Sequence, residues 1–251
     1  MIGISIAGFD PSGGAGIIRD MNTFSSLGIH GTGVITALTA QNPSKVFSIQ
    51  PIAIECIEEQ IDSIFDEYNK YISYGKTGML YSEQIVKTVA KKIKEYDLKI
   101  VVDPVMVASA GDALLKEEIA KSLKKYLLPY SLIVTPNIHE AELLSGRKIA
   151  TFEDAVTAAE KIGKVCDVVI TGGHLKGVNT IAIDEEIHIV KKDLLKTENT
   201  HGSGCTFSAA LTSFMIKGED IKSSIEKSLD YVEVAIANGW YGTLNTCSDI
   251  F

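Results

Sequence analysis

Thr200-His201-Gly202-Ser203-Gly204-Cys205-Thr206 sets a thiol among glycines at the head of a small-residue run, Phe207-Ser208-Ala209-Ala210-Leu211. The glycines permit a tight turn and a close approach of backbone to ligand, where a Cβ would collide. The run reads as a helix, and a first helical turn offers unpaired N–H groups and a partial positive charge, a natural seat for phosphate. Cys205 at that end is expected to have a lowered thiol pKa. An ionisable group inside an anion site points to proton removal beside a phosphate. The plainer alternative is a glycine-rich turn over a buried cysteine.

Two further clusters carry hard oxygen ligands. Asp103-Pro104-Val105-Met106-Val107 and Thr135-Pro136-Asn137-Ile138-His139-Glu140 each follow a short apolar run. Carboxylate and amide oxygens at neighbouring strand ends suit magnesium, often through water. Asn137 and Glu140, three apart, share one face of a first helical turn. Equally, Asn137 is a cap and Glu140 a solvated first-turn acid. Gly8-Phe9-Asp10-Pro11-Ser12-Gly13-Gly14-Ala15-Gly16 is neither a Walker loop nor a dinucleotide fingerprint. Glycines around one acid either close over a small ligand or make a tight strand–helix connection.

The elements that must position these clusters alternate along the whole chain. Strands are expected at Ile2–Ala7, Gly33–Ala40, Val46–Ile54, Ser73–Thr77, Lys99–Asp103, Leu132–Thr135 and Val168–Thr171, then as a hairpin at Thr180–Ile183 and Ile187–Val190. Helices are expected at Ala15–Leu27, Glu55–Tyr68, Ser82–Tyr96, Leu114–Tyr126, Asn137–Leu144, Thr151–Val165, Ser203–Ile216 and about Ile221–Trp240. Thr151 with Asp154 three residues on reads as a cap. This alternation predicts an α/β fold, a mostly parallel sheet covered on both faces. Ligands in such folds bind outside the carboxyl ends of the strands, where the glycine and acid clusters fall.

Composition narrows the function classes. The 251 residues, 45% hydrophobic and 22% charged, suit one large α/β domain, 1–251, with no internal repeat or linker. A net charge of −8 argues against nucleic acid or an anionic membrane as the main partner. Met1-Ile2-Gly3-Ile4 lacks a basic leader and reads as a first strand, not a signal peptide. No apolar stretch approaches a membrane span. Cys56, Cys166, Cys205 and Cys247 are scattered, which fits a reducing cytoplasm and excludes a zinc knuckle.

In order, the glycine loop, Thr39-Ala40-Gln41-Asn42, Lys76-Thr77-Gly78-Met79-Leu80, Asp-Pro-Val-Met-Val, Thr-Pro-Asn-x-x-Glu, Gly-Gly-His and His-Gly-Ser-Gly-Cys-Thr cover residues 1 to about 217. Together they resemble the hydroxymethylpyrimidine and phosphomethylpyrimidine kinases of thiamine biosynthesis, in the ribokinase-like superfamily. The resemblance implies a ribokinase-like three-layer α/β/α sandwich and use of ATP with Mg²⁺. It also implies two phosphorylations of 4-amino-5-hydroxymethyl-2-methylpyrimidine, first to the monophosphate and then to the pyrophosphate. A cytoplasmic homodimer is implied too. Pyridoxal (vitamin B6) kinases share the glycine loop and the cysteine turn, so that activity is the alternative. A pyrimidine-binding regulator that has lost catalysis is a third reading, against which Cys205, Asp103, Asn137 and Glu140 argue.

Residue by residue, the resemblance makes Gly202, Gly204 and Cys205 the catalytic anion hole and Cys205 the group that activates the alcohol. Gly8, Asp20, Gln41, Met79 and Val107 would hold the pyrimidine, with Asp20 and Gln41 reading its donor and acceptor edge. Asp103, Asn137, Glu140, Thr171 and Thr200 would serve ATP and magnesium, Asp103 and Glu140 holding the metal through water. The sequence departs from the family at Thr171, where lysine usually precedes Gly-Gly-His, and at Phe9, where a small hydroxylic residue is usual. Lys176 is a candidate for the missing charge.

Overall fold

The computed structural model describes residues 1–106, 113–173, 175 and 177–246. Among the described residues nine strands form one sheet: β1 (Ile2–Phe9), β2 (His30–Asn42), β3 (Lys45–Pro51), β4 (Tyr74–Thr77), β5 (Lys99–Val102), β6 (Ile133–Val134), β7 (Asp167–Ile170), β8 (Val178–Ile183) and β9 (Glu186–Lys191). Their spatial order is β3-β2-β1-β4-β5-β6-β7-β8-β9. The six strands from β2 through β7 in that order pair in parallel, while β3, β8 and β9 add antiparallel ends. The expected mostly parallel sheet is present.

Eight α-helices of the described residues cover it: α1 (Gly16–Ser26), α2 (Ile54–Tyr68), α3 (Glu83–Glu95), α4 (Ala113–Ser122), α5 (Ile138–Ser145), α6 (Phe152–Gly163), α7 (Ser203–Ile216) and α8 (Ile221–Ala237). Alternating side chains of each strand feed opposite layers. Ile100 and Val102 of β5 pack toward α2 to α6, whereas Val101 packs with Phe207, Leu211 and Ile225 of α7 and α8. Helices α1 and α7 share a smaller cluster through Phe24 and Ala209. The result is a three-layer sandwich. No helix among the described residues is long and apolar enough to cross a membrane.

Several expected boundaries differ, three of them for a clear physical reason. The helix expected to continue to Tyr126 gives way after Ser122 to a π turn, Leu123–Leu127, and a 3₁₀ turn, Leu128–Tyr130. Pro129 cannot continue an α-helix, and the wider turn keeps Leu123, Leu127 and Leu128 buried. Strand β2 starts three residues early, because His30 already pairs with Ile2. Strand β3 stops at Pro51, and α2 begins at Ile54. Thr151 caps α6, its Oγ1 accepting the Asp154 N–H at 3.2 Å.

Strand order reverses between β1 and β4: the chain runs outward to β2 and β3, then returns to build β4 onward on the other side. That topological switch point opens a crevice at the carboxyl ends of β1 and β4, the position where doubly wound sheets bind ligands.

Candidate active site

Two cavities open at that end of the sheet. The first, about 320 Å³, lies at the switch crevice, lined by Gly8, Phe9, Gln41, Met79, Val105 and Cys205 among others. The second, about 450 Å³, lies beside the β8–β9 hairpin and α8, lined by Thr171, Lys192, Leu194, Gly204, Val232 and Ile236 among others. The N-terminal turn of α7 is their common wall: Cys205 faces the first, while Thr200, Ser203 and Gly204 face the second. The turn needs glycine at its cap. Gly202 sits at φ +91°, and a Cβ there would overlap the Gly14 carbonyl.

The Cys205 thiol does not have the lowered pKa expected of a helix start. Burial and the neighbouring Asp103 carboxylate push it well up, opposed by Lys76 and by the Gly16 N–H directed at the sulfur. Desolvation and a like-sign neighbour here outweigh the field of one helix turn.

Asp20 also lies elsewhere than expected. It does not line the first cavity; it is fully buried behind it, its carboxylate accepting from Ser5 Oγ at 2.6 Å and from Lys76 Nζ at 2.9 Å. Both oxygens have protein partners and neither faces the cavity, which does not fit the expected reading of the pyrimidine edge by Asp20. Burial raises the Asp20 pKa, and Lys76 opposes that rise. Lys76 itself is wholly buried, 3.6 Å from Asp103 Oδ2, and burial is outweighed by the acids around it, so its pKa is raised. Reasoning from the sequence gave Lys76 no role. The signal was there: a lysine between Gly75 and Thr77, in a strand whose neighbours are apolar.

Asp103 ends its strand segment almost fully buried, with Ser208 Oγ of α7 donating to Oδ2 at 3.2 Å. Asn137 is the N-cap of α5 within a reciprocal capping box: its Oδ1 accepts the Glu140 N–H at 3.0 Å, and Glu140 Oε2 accepts the Asn137 N–H at 2.9 Å. The cap alternative therefore holds for Asn137, but Glu140 is not a solvated acid. Burial and then Asp103 raise its pKa to about 8. Among the described residues no three His, Cys, Asp or Glu side chains gather as a metal cage. Magnesium does not ask for one, since it keeps waters and phosphate oxygens around one or two carboxylates. Asp103 and Glu140, the first raising the proton affinity of the second, fit such a cation.

Around the first cavity, Gly8 allows Met79 to lie against the β1 backbone, where a Cβ would meet the Met79 methyl. Gln41 lies on the outer wall, within hydrogen-bond reach of Asp10. Phe9 also faces this cavity. Val107 and Lys176 lie outside the described residues. At the second cavity the Thr171 N–H donates to Pro136 O at 2.9 Å, and its Oγ1 donates to the same oxygen at 3.4 Å. A cation that sequence reasoning missed, Lys192, lines that cavity and is ion-paired with Asp230. Leu194, Leu195, Val232 and Ile236 supply apolar walls there.

Sheet order, layers and the two cavities sharing a helix start define an α/β kinase of the ribokinase-like class. The family model described as phosphomethylpyrimidine kinase matches residues 10–245, and the chain belongs to that family. It is 39% identical over 242 residues to a hydroxymethylpyrimidine/phosphomethylpyrimidine kinase of Bacillus subtilis (strain 168), covering 94% of this chain and 89% of that protein. A pyridoxine kinase of the same organism is 37% identical over 243 residues, covering 93% and 89%. A pyridoxal kinase of Bacillus subtilis solved as an ADP complex superimposes with a TM-score of 0.87 at 36% identity, covering 93% of this chain and 91% of that one.

Proposed function

We propose that the protein phosphorylates 4-amino-5-hydroxymethyl-2-methylpyrimidine with ATP and then extends the monophosphate to the pyrophosphate. The observation that carries this reading is the shared wall: one helix start separates a cavity of aminopyrimidine size from a nucleotide-sized one. The acceptor lies in the first, its ring between Met79 and the Gly8 backbone, its edge toward Gln41. ATP lies in the second, adenine against Leu194, Leu195, Val232 and Ile236, phosphates toward Thr171, Thr200 and the Gly202–Gly204 turn. Asp103 and Glu140, with Asn137 fixing Glu140, would hold Mg²⁺, which when bound neutralises charge on the phosphates.

Phosphoryl transfer passes through a loose transition state, so alignment and charge stabilisation matter more than a strong base. The α7 N–H groups receive the transferring group. Because burial and Asp103 raise the Cys205 pKa, we assign its sulfur the role of orienting the hydroxyl. As the new O–P bond forms and the bond to the departing ADP breaks, the hydroxyl proton passes to an oxygen of the transferring phosphoryl group. In the second reaction the nucleophile is already an anion and needs less orientation.

Cys205→Ala is therefore expected to slow the first phosphorylation more than the second, and Cys205→Ser to retain more of the first than alanine does. Equal losses in both steps would place Cys205 in the anion hole or the helix instead. The deciding experiment is a substrate panel, the hydroxymethylpyrimidine against pyridoxal with ATP, with Cys205→Ala as control. Pyridoxal kinase is the second reading, supported by the likeness to the B6 kinases above. A catalytically dead pyrimidine binder has no support among these relatives, all named as kinases. The whole chain is read as one kinase domain, cytoplasmic and homodimeric; light scattering on the purified protein tests the last point.

A further inference from the structure

Three chain segments meet over Gly14, and the residue that closes them has no role so far. His201 precedes the Gly202 cap of α7 and places Nε2 2.9 Å from Asp10 Oδ2. The same carboxylate oxygen accepts the N–H of Ala15, the cap of α1, at 2.9 Å. Asp10 Oδ1 accepts the Ser12 N–H at 2.8 Å. One carboxylate thus holds the leading ends of two helices.

The imidazole crosses Gly14 so closely that a Cβ there would overlap its Cδ2. The His201 N–H donates to Gly242 O at 3.2 Å, bringing in the segment after α8. Arg19 Nε donates to Gly14 O at 3.1 Å, and its Nη1 to Thr246 Oγ1 at 3.1 Å. Asp10 and Arg19 are buried in this corner, 1% and 5% exposed, while the His201 ring is partly exposed at the wall of the first cavity. Helix α1 leads with Gly16, at φ +60°, whose added Cβ would overlap the Gly8 carbonyl. Its N–H faces the Cys205 sulfur. The sulfur therefore has two helix starts around it, its own and that of α1, and their spacing depends on the Asp10 bridge.

We propose that His201 is a positioning residue for phosphoryl transfer, its hydrogen bond to Asp10 clasping the α1 and α7 starts and so fixing the acceptor cavity against the anion-binding turn. This rests on the kinase reading above. Asp10 and His201 also line the first cavity, so the clasp is told from a plain acceptor contact by kcat: loosening it is expected to lower kcat more than it raises the acceptor KM.

The test is steady-state kinetics on the purified full chain. His201→Ala is expected to lower kcat for the first phosphorylation on the order of 10²-fold, the scale of a small misplacement, with both KM values little changed. His201→Gln, whose amide N–H reaches Asp10, is expected to restore much of kcat. Combined with Asp10→Asn, His201→Ala should add almost no further loss, since both break the same link. If His201→Ala does not fold, His201→Asn, too short to span to Asp10, supplies the loss arm. Additive losses, an unchanged kcat, or a glutamine variant as slow as alanine with a raised acceptor KM would each overturn the proposal. Wild-type turnover checks the kinase reading separately: a slow variant beside an active wild type bears on the clasp alone.

Discussion

At the scale of single residues, the chemistry of this site is set by which acids are free and which are already spent. Asp20 is spent on Lys76 and Ser5. Asp20→Asn should then act on stability: weakening a buried ion pair by neutralising one partner costs on the order of 3 kcal/mol, read as a lower urea midpoint, while the KM for the aminopyrimidine in folded protein stays put. A raised KM with unchanged stability would return Asp20 to the substrate. Asp10 illustrates a second kind of spent acid. Burial works against its charge, but hydrogen bonds from His201 and Ser12 prevail and lower its pKa from 3.8 to about 2. A depressed carboxylate pKa stabilises the fold above the unfolded value and loses that contribution as pH falls through the folded one. Acid titration of the wild type should therefore show a loss of stability between pH 3.8 and about 2 that Asp10→Asn reduces, measured by thermal melts across that range. None of these pairings was legible beforehand, because Asp10, His201, Lys76 and Asp20 are brought together by strand order across long stretches of chain. What could be read was their chemical type. The expectation for the Cys205 thiol failed for the same reason, since Asp103 reaches it only through folding.

At the scale of elements, alternation and glycine placement carried most of the fold. The α7 span Ser203–Ile216 and the α6 cap follow directly from small-residue runs and from Thr151 with Asp154. Boundaries went astray where one element's end depends on another, as at β2, extended by pairing with β1, and after Ser122, where Pro129 and three buried leucines set the geometry. The end of β7 is the element with a consequence for catalysis. Thr171 anchors it to Pro136 and presents no charge to the second cavity. Lys192 faces that cavity but is held by Asp230. Thr171→Lys is expected to lower the KM for ATP, measured with the acceptor saturating; an unchanged or higher value would show that the cavity already has the cation it needs.

At the scale of the whole molecule, the strand reversal between β1 and β4 opens the crevice that leaves one cavity on either side of the α7 start. The first cavity, where the acceptor is proposed to bind, runs outward from Cys205 to the β2–β3 hairpin, through Asn42, Pro43, Ser44 and Lys45. Substitutions at the hairpin are expected to separate the two activities. Ser44→Trp, filling the outer end, should slow conversion of the monophosphate more than its formation, followed by separating the two products over time. Equal slowing would mean that the hairpin merely shapes entry. The reason lies in the turn at Gly202, which packs so closely on the Gly14 carbonyl that we take it as the fixed point of the crevice. With the receiving post fixed, the cargo has to do the moving: a molecule grown by one phosphate must back out by that length to present its new end. On the proposed function the crevice would offer two berths on a common line, with the hairpin tip marking how far out the second lies.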